Sequence, residues 1–224
     1  MRKGVLRTPR FLEKLFPSIT WGDPDLVKGP IYLTFDDGPH PGVTEAVLDC
    51  LESKGVKATF FVLGKRIPNH TELLKRILSS GHQVGYHGMT HDRWWFTSGE
   101  KRKYEMDPGQ VSGIDTQWLF KDSQLLLRPP FGRFDQFVIS EAKKMKAQLV
   151  QFRFVVGDWL PGTDYSTLKK RLIHGTRPGD IIVLHDGSRN GHLLPALLDE
   201  MIDYWRENSF TIGNLNDLVK TGIT

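Results

Sequence analysis

A single α/β domain is what the sequence predicts, on three observations. Apolar strand-like runs alternate with amphipathic stretches over the 224 residues. That length suits one larger domain with a proper core better than two small ones. The chemically capable polar residues fall at the carboxyl ends of the strand-like runs, where both open sheets and barrels place their sites. The alternation permits either a doubly wound open sheet or a closed barrel.

The elements follow in chain order. Residues 1–29 form a basic N-terminal segment, expected to pack on or flank the domain of residues 30–224. Arg2, Lys3, Arg7, Arg10 and Lys14 against Glu13 account for the whole formal charge of +4, which reads as a solvated end. Beyond residue 14 the charges balance, and no basic stripe interleaves with aromatics, so nucleic-acid binding is not expected.

Ile31–Phe35 is a β-branched and aromatic run, read as a buried strand, and it runs into Asp36-Asp37-Gly38-Pro39. Neighbouring strand side chains point to opposite faces, so both carboxylates share a site only where strand gives way to loop. Two like charges so close need a cation beside them; His87, His91 and Arg128 are the candidates. A helix at Val43–Lys54 holds Cys50, the only cysteine, as a small core residue. After a strand at Ala58–Leu63, the helix His70–Ser80 carries Leu73, Leu74, Ile77 and Leu78 on one stripe. Asn69 or Thr71 is its expected cap and Gly81 its stop.

The strand Gln83–His87 is followed by His91. If the chain turns helically there, the two imidazoles share a face. With one carboxylate they make a three-ligand zinc site with an open position. Residues 92–123 hold Trp94, Trp95, Phe96, Trp118, Pro108 and three glycines, and read as an irregular excursion with some helix, facing substrate or packing on the core. The strand Gln124–Arg128 ends in Arg128-Pro129-Pro130-Phe131, where the prolines stiffen the backbone. A helix at Phe134–Lys146 leads to a strand Leu149–Val156 and then Gly157-Asp158-Trp159. A helix at Ser166–Gly175 and a strand Asp180–His185 follow, ending on a histidine that titrates near neutrality. The helix His192–Asn208 and a weak strand Phe210–Gly213 complete the domain. No run of about 18 apolar residues offers a membrane span. The amino terminus has no apolar signal core, so a cytoplasmic location is expected. Oligomeric state is not legible.

Thr34-Phe35-Asp36-Asp37-Gly38-Pro39, His87 with His91, Arg128-Pro129-Pro130-Phe131, Asp158-Trp159 and His185-Asp186 resemble, in order, the five motifs of the polysaccharide deacetylase family. This is carbohydrate esterase family four, the NodB-homology domain, and the resemblance spans about residues 30–215. It implies a distorted (β/α) barrel of seven or eight strands. It further implies metal-dependent removal of N-acetyl groups from aminosugar polymers or oligomers, of chitooligosaccharide or peptidoglycan type. By the same resemblance Asp37, His87 and His91 would bind the divalent metal, most often zinc. Asp36 would be the general base, oriented by Arg128. His185 would be the general acid, supported by Asp158. Trp159 and Val183 would wall the acetyl pocket, and the Phe131 amide would help hold the oxyanion. Such roles suit the chemistry: positioned acids and bases contribute about 10²–10⁴-fold each, and amide hydrolysis needs its oxyanion stabilised.

The chain departs from the family pattern at Gly88, where Ser or Thr is usual, at Asp92, where proline is frequent, and at Val183, where leucine is usual. The alternatives are the same chemistry on a small cyclic or linear amide, and a glycan-binding barrel without turnover.

Overall fold

The computed structural model describes residues 6–113, 115–116 and 124–221. Arg2, Lys3 and Trp118 lie outside them. The strands are β1 (Leu6–Arg7), β2 (Gly29–Asp36), β3 (Thr59–Val62), β4 (Gln83–Tyr86), β5 (Leu126–Leu127), β6 (Gln148–Leu149), β7 (Phe154–Val155), β8 (Ile181–His185) and β9 (Phe210–Ile212). The helices are α1 (Phe11–Leu15), α2 (Val43–Ser53), α3 (Thr71–Ser79), α4 (Gly99–Met106), α5 (Gln136–Lys144), α6 (Tyr165–Gly175), α7 (Leu194–Glu207) and α8 (Leu215–Thr221).

Eight strands run in the order β1-β7-β8-β2-β3-β4-β5-β6, and β9 pairs with the start of β2. The neighbours are parallel, except that β1 lies antiparallel to β7. The sheet curls into a half-barrel wrapped by helices, a distorted (β/α) barrel. Residues 20–22 reach across its open side, with Thr20 bridged to Val150 and Gly22 to Asp180.

Alternation along the strands decides what faces where. Ile31, Leu33 and Phe35 of β2, Phe60 and Val62 of β3, Val84 and Tyr86 of β4, Leu127 of β5, and Ile182 and Leu184 of β8 join the large core shared with the helices. The opposite parity supplies a small inner cluster of Tyr32, Phe61, Leu126, Val150, Ile181 and Leu215. Thr34, Asp36, His87, Arg128, Val183 and His185 share that inward parity. Burying the apolar set under helices therefore turns the polar set into the barrel. Helix α3 stops as expected at Gly81: its amide bonds Leu78 O at 2.9 Å and the His82 amide bonds Ile77 O at 3.1 Å. Its start has no side-chain cap, from Asn69 or Thr71 or otherwise.

Two expectations are corrected. Leu149–Val156 is not one strand: β6 pairs with β5, β7 pairs with β8, and the chain between them crosses from one side of the sheet to the other. Nor is Arg7 part of a solvated end. β1 docks on β7, and the Arg7 guanidinium forks onto both oxygens of buried Asp180 at 2.8 Å. Among the described residues no helix is long and apolar enough to cross a membrane.

Candidate active site

At the carboxyl end of β2 the chain leaves the sheet at Asp37, whose φ is +73°. That change of direction lets two consecutive carboxylates face one site. Asp36, 3% exposed, stays on the strand opposite His185. Its Oδ1 accepts a 2.7 Å bond from Arg128, and its Oδ2 lies 3.8 Å from His87 Nε2.

Arg128 is fully buried. It also donates to Thr34 Oγ1 at 2.8 Å and to the carbonyls of Val150 and Gln151, with its guanidinium 3.9 Å from the centre of the Phe61 ring. Burial lowers its pKa, and the Asp36 carboxylate opposes that shift. The planar fork meets several acceptors at once, which a lysine does not.

His87 continues the β4 ladder, its amide bonded to Val62 O at 2.8 Å. Its Nδ1 donates to Arg128 O at 2.8 Å, which leaves the Nε2 lone pair facing the carboxylates. Burial pushes its pKa down to about 3, so the imidazole is neutral. His91 Nε2 lies 3.3 Å from Asp37 Oδ1, and His87 Nε2 lies 3.7 Å from the same oxygen.

The two histidines do meet, with ring centroids 5.2 Å apart, but no helical turn brings them together. Residues 87–91 form a loop with Gly88 at φ +87° and His91 at φ +68°. A Cβ at Gly88 would lie 3.0 Å from Trp94 Cζ2. The departure to glycine therefore fits both the backbone and the indole packed over it.

Glu105, which sequence reasoning missed, pins this loop. It is fully buried on α4 and accepts from the Thr90 amide at 2.9 Å and the Thr90 hydroxyl at 2.6 Å, while its carbonyl accepts from the Met89 amide. The Gly64 and Lys65 amides hold the other side, on the Gly88 and Met89 carbonyls. A glutamate on a polar-looking helix carries no local signal for such a role. Asp186 also lies behind the site, bonded to the Thr44 hydroxyl, and burial pushes its carboxyl up to about 7.

On the opposite side, Asp158 is fully buried. It accepts from the His185 amide at 2.7 Å and from His185 Nδ1 at 2.9 Å, so that Nε2 is the ring nitrogen not engaged by this carboxylate. Burial alone would lower the His185 pKa, but the Asp158 charge and hydrogen bond outweigh it and raise it to about 9. Trp159, partly exposed, sets its ring 4.7 Å from that imidazole. Asn190 ties this loop to the Asp158 and Leu160 carbonyls. Val183 is buried beside Thr34, one inward position before His185. Phe131 is half-exposed, with φ +60°, and its ring lies 4.5 Å from that of His91. His40 is exposed and outside this cluster. His82 is structural, accepting from the Ala58 amide, and burial holds its pKa at about 4.

One ligand atom each from Asp37, His87 and His91 lie within 4.8 Å of one another. Asp37 Oδ1 is buried with no hydrogen-bond partner, a state that costs free energy unless something binds it. One carboxylate and two neutral imidazoles are a donor set for a divalent ion with a position left open.

The sequence profile of the polysaccharide deacetylase family matches residues 23–150. A peptidoglycan-N-acetylglucosamine deacetylase of Bacillus cereus is 30% identical over 205 residues, covering 90% of this chain and 93% of that protein. A chitooligosaccharide deacetylase of Bradyrhizobium is 34% identical over 158 residues, 70% of either chain. The structure of Bacillus subtilis PdaA, a family 4 carbohydrate esterase, superposes with a TM-score of 0.80 at 26% identity, covering all of this chain and 98% of that one. The chain belongs to the polysaccharide deacetylase family.

Proposed function

We propose that this protein hydrolyses N-acetyl groups on aminosugar glycans of the chitooligosaccharide or peptidoglycan type, with zinc held by Asp37, His87 and His91. The observation that carries the reading is the placement of a held carboxylate and a charged imidazole on the two sides of one metal-ligand trio. A divalent ion bound there would supply Lewis acidity, lowering the pKa of a water and polarising the acetyl carbonyl.

The remaining work falls to the chain's own side chains. Arg128 fixes Asp36 through Oδ1, so Oδ2 is the oxygen that takes the proton of the attacking water. The Phe131 amide precedes the first bond of its 3₁₀ turn, which runs from the Gly132 amide to Pro129 O, and so is a donor for the developing oxyanion. His185 is protonated at neutral pH and gives its Nε2 proton to the departing nitrogen. Asp158 holds its ring and its charge. Trp159 and Val183 bound the space for the acetyl methyl.

The test is acetate release from N-acetylglucosamine oligomers by metal-free protein, with and without added zinc, beside Asp36→Asn. Zinc-dependent release that the substitution abolishes is the expected outcome. Protein that binds no divalent metal would sink the catalytic reading. Protein that binds zinc tightly and releases nothing would sink the substrate.

A further inference from the structure

The end of the barrel opposite the candidate active site carries a cluster of cations that hydrolysis does not use. A cavity of about 350 Å³ opens there, its lining including Arg7, Arg10, Arg153 and Arg177 around one buried carboxylate, Asp180. Asp180 and Arg153 stand just before β8 and β7, whereas His185 and Asp158 lie at or beyond the carboxyl ends of those strands. At the rise of a strand, Asp180 and His185 are roughly 17 Å apart.

Asp180 does not neutralise this cluster. It takes the fork of Arg7, lies 3.7 Å from Arg153 Nε and accepts from the Arg177 amide at 2.8 Å. Arg153 also pairs with Glu13. The exposed Arg177 guanidinium forms no ion pair with any described residue. Arg10 has only Asp25, at 3.3 Å, with both side chains mostly in solvent. Burial lowers the Arg153 pKa; Asp180 opposes that shift, and Arg7, Arg10 and Arg177 add to it, so the four guanidiniums feel one another. Apolar side chains lie along the same segment. Of the seven large apolar side chains exposed among the described residues, four are Leu6, Phe11, Leu15 and Val27. Leu6 and Phe11 adjoin Arg7 and Arg10 in the chain, and Val27 follows Leu26, which also lines the cavity. Phe11 and Leu15 share one face of α1, and exposed Lys14 and Lys28 are the chain neighbours of Leu15 and Val27.

We propose that this end of the barrel docks on an anionic phospholipid surface, with a headgroup phosphate seated between Arg10 and Arg177 and the four apolar side chains entering the interface around it. A phosphate oxyanion matches the guanidinium fork with charge-assisted bonds. A soluble anion would use the arginines and leave the apolar side chains in water, and an apolar partner would leave the guanidiniums unpaired. Cations set among exposed apolar side chains suit a surface that lies on a membrane, where each basic residue adds attraction to an anionic bilayer. Docked so, the candidate active site faces away from the bilayer. Such docking is independent of the reaction catalysed.

The experiment is co-sedimentation of the full chain with vesicles of mixed phosphatidylglycerol and phosphatidylcholine, against phosphatidylcholine alone. Binding is expected to be at least about ten-fold tighter on the anionic vesicles and to weaken with added salt. Arg10→Gln/Arg177→Gln is expected to lower that affinity about ten-fold or more. Arg93→Gln/Arg133→Gln removes the same charge beside Phe131 and Trp95, at the active-site end, and is expected to leave most of the binding. Phe11→Ser/Val27→Ser keeps every charge and is expected to weaken binding several-fold. Equal binding of the wild type to both vesicles overturns the proposal before any variant is made. An Arg10/Arg177 effect that the Arg93/Arg133 pair reproduces also overturns it. Full binding by Phe11→Ser/Val27→Ser does so too, since charge alone would then suffice. Calorimetry with glycerol 3-phosphate separates the soluble source: that anion bound while vesicles are not would overturn lipid docking.

Discussion

Arg128→Met cuts the Arg128–Asp36 ion pair, buried inside the barrel beside the candidate metal ligands. Arg128 is fully buried and Asp36 is 3% exposed, with 2.7 Å between them. Methionine fills much of the same space, so the change removes charge more than volume. Asp36 is then left as a buried carboxylate without its cation, at a cost of about 3–5 kcal/mol. A domain is stable by about 5–15 kcal/mol, so roughly a fifth or more of the margin goes. Asp36→Asn strands the guanidinium instead, at a similar cost. Because each single substitution leaves the other charge unpaired, the double substitution is expected to fall short of the sum by several kcal/mol and to be no less stable than Arg128→Met alone. Urea unfolding of metal-free protein at neutral pH, followed by far-UV circular dichroism, measures all four corners of the cycle. A single-variant loss under about 1 kcal/mol, or strict additivity, would refute the reasoning, because both require Asp36 to be solvated or held by something else.

Three further outcomes are expected. Asp158→Asn removes the charge that raises His185 to about 9. A histidine raised above its ordinary 6.5 lends stability that is full below that value and lost as pH climbs through about 9. The variant should therefore lack that stability at pH values below about 6.5 and approach wild type above about 9, while the alkaline limb of activity moves to lower pH; an unmoved alkaline limb in the pH profile of kcat would count against it. Glu105→Ala orphans the Thr90 amide and hydroxyl next to His91. Zinc affinity, read by competition with a chelator, should drop roughly 10–100-fold, and unchanged affinity would show that the loop holds itself. Gly179→Ala places a Cβ against the Asp23 carbonyl at a residue with φ +78°. Strain and crowding together should cost about 2–4 kcal/mol, and a melting temperature within a degree of wild type would contradict that.

The site was legible to different degrees, for physical reasons. Carboxylates, imidazoles and arginine at strand ends announce themselves, since each stands directly after an apolar run that can only be buried strand. The partners that hold them do not. Glu105 is one glutamate among charged neighbours until α4 folds over the Thr90 loop. Thr44, which meets Asp186, sits on a helix far away in sequence. The histidine pair was placed by helical spacing, yet positive φ at Gly88 and His91 brings the rings together instead. Loop geometry is set by contacts such as the Trp94 indole, and spacing carries no trace of them.

By itself, then, the sequence determined the α/β alternation, the strand that ends in Asp36-Asp37, and the inward parity of Asp36, His87, Arg128 and His185. A two-residue period and the burial of apolar side chains suffice for that. Tertiary structure alone decided that Leu149–Val156 divides between two places in the sheet, that Arg7 leaves solvent for Asp180, and that Glu105 closes on the Thr90 loop. Those outcomes depend on which strands become neighbours as the sheet curls, a long-range choice that no local pattern encodes.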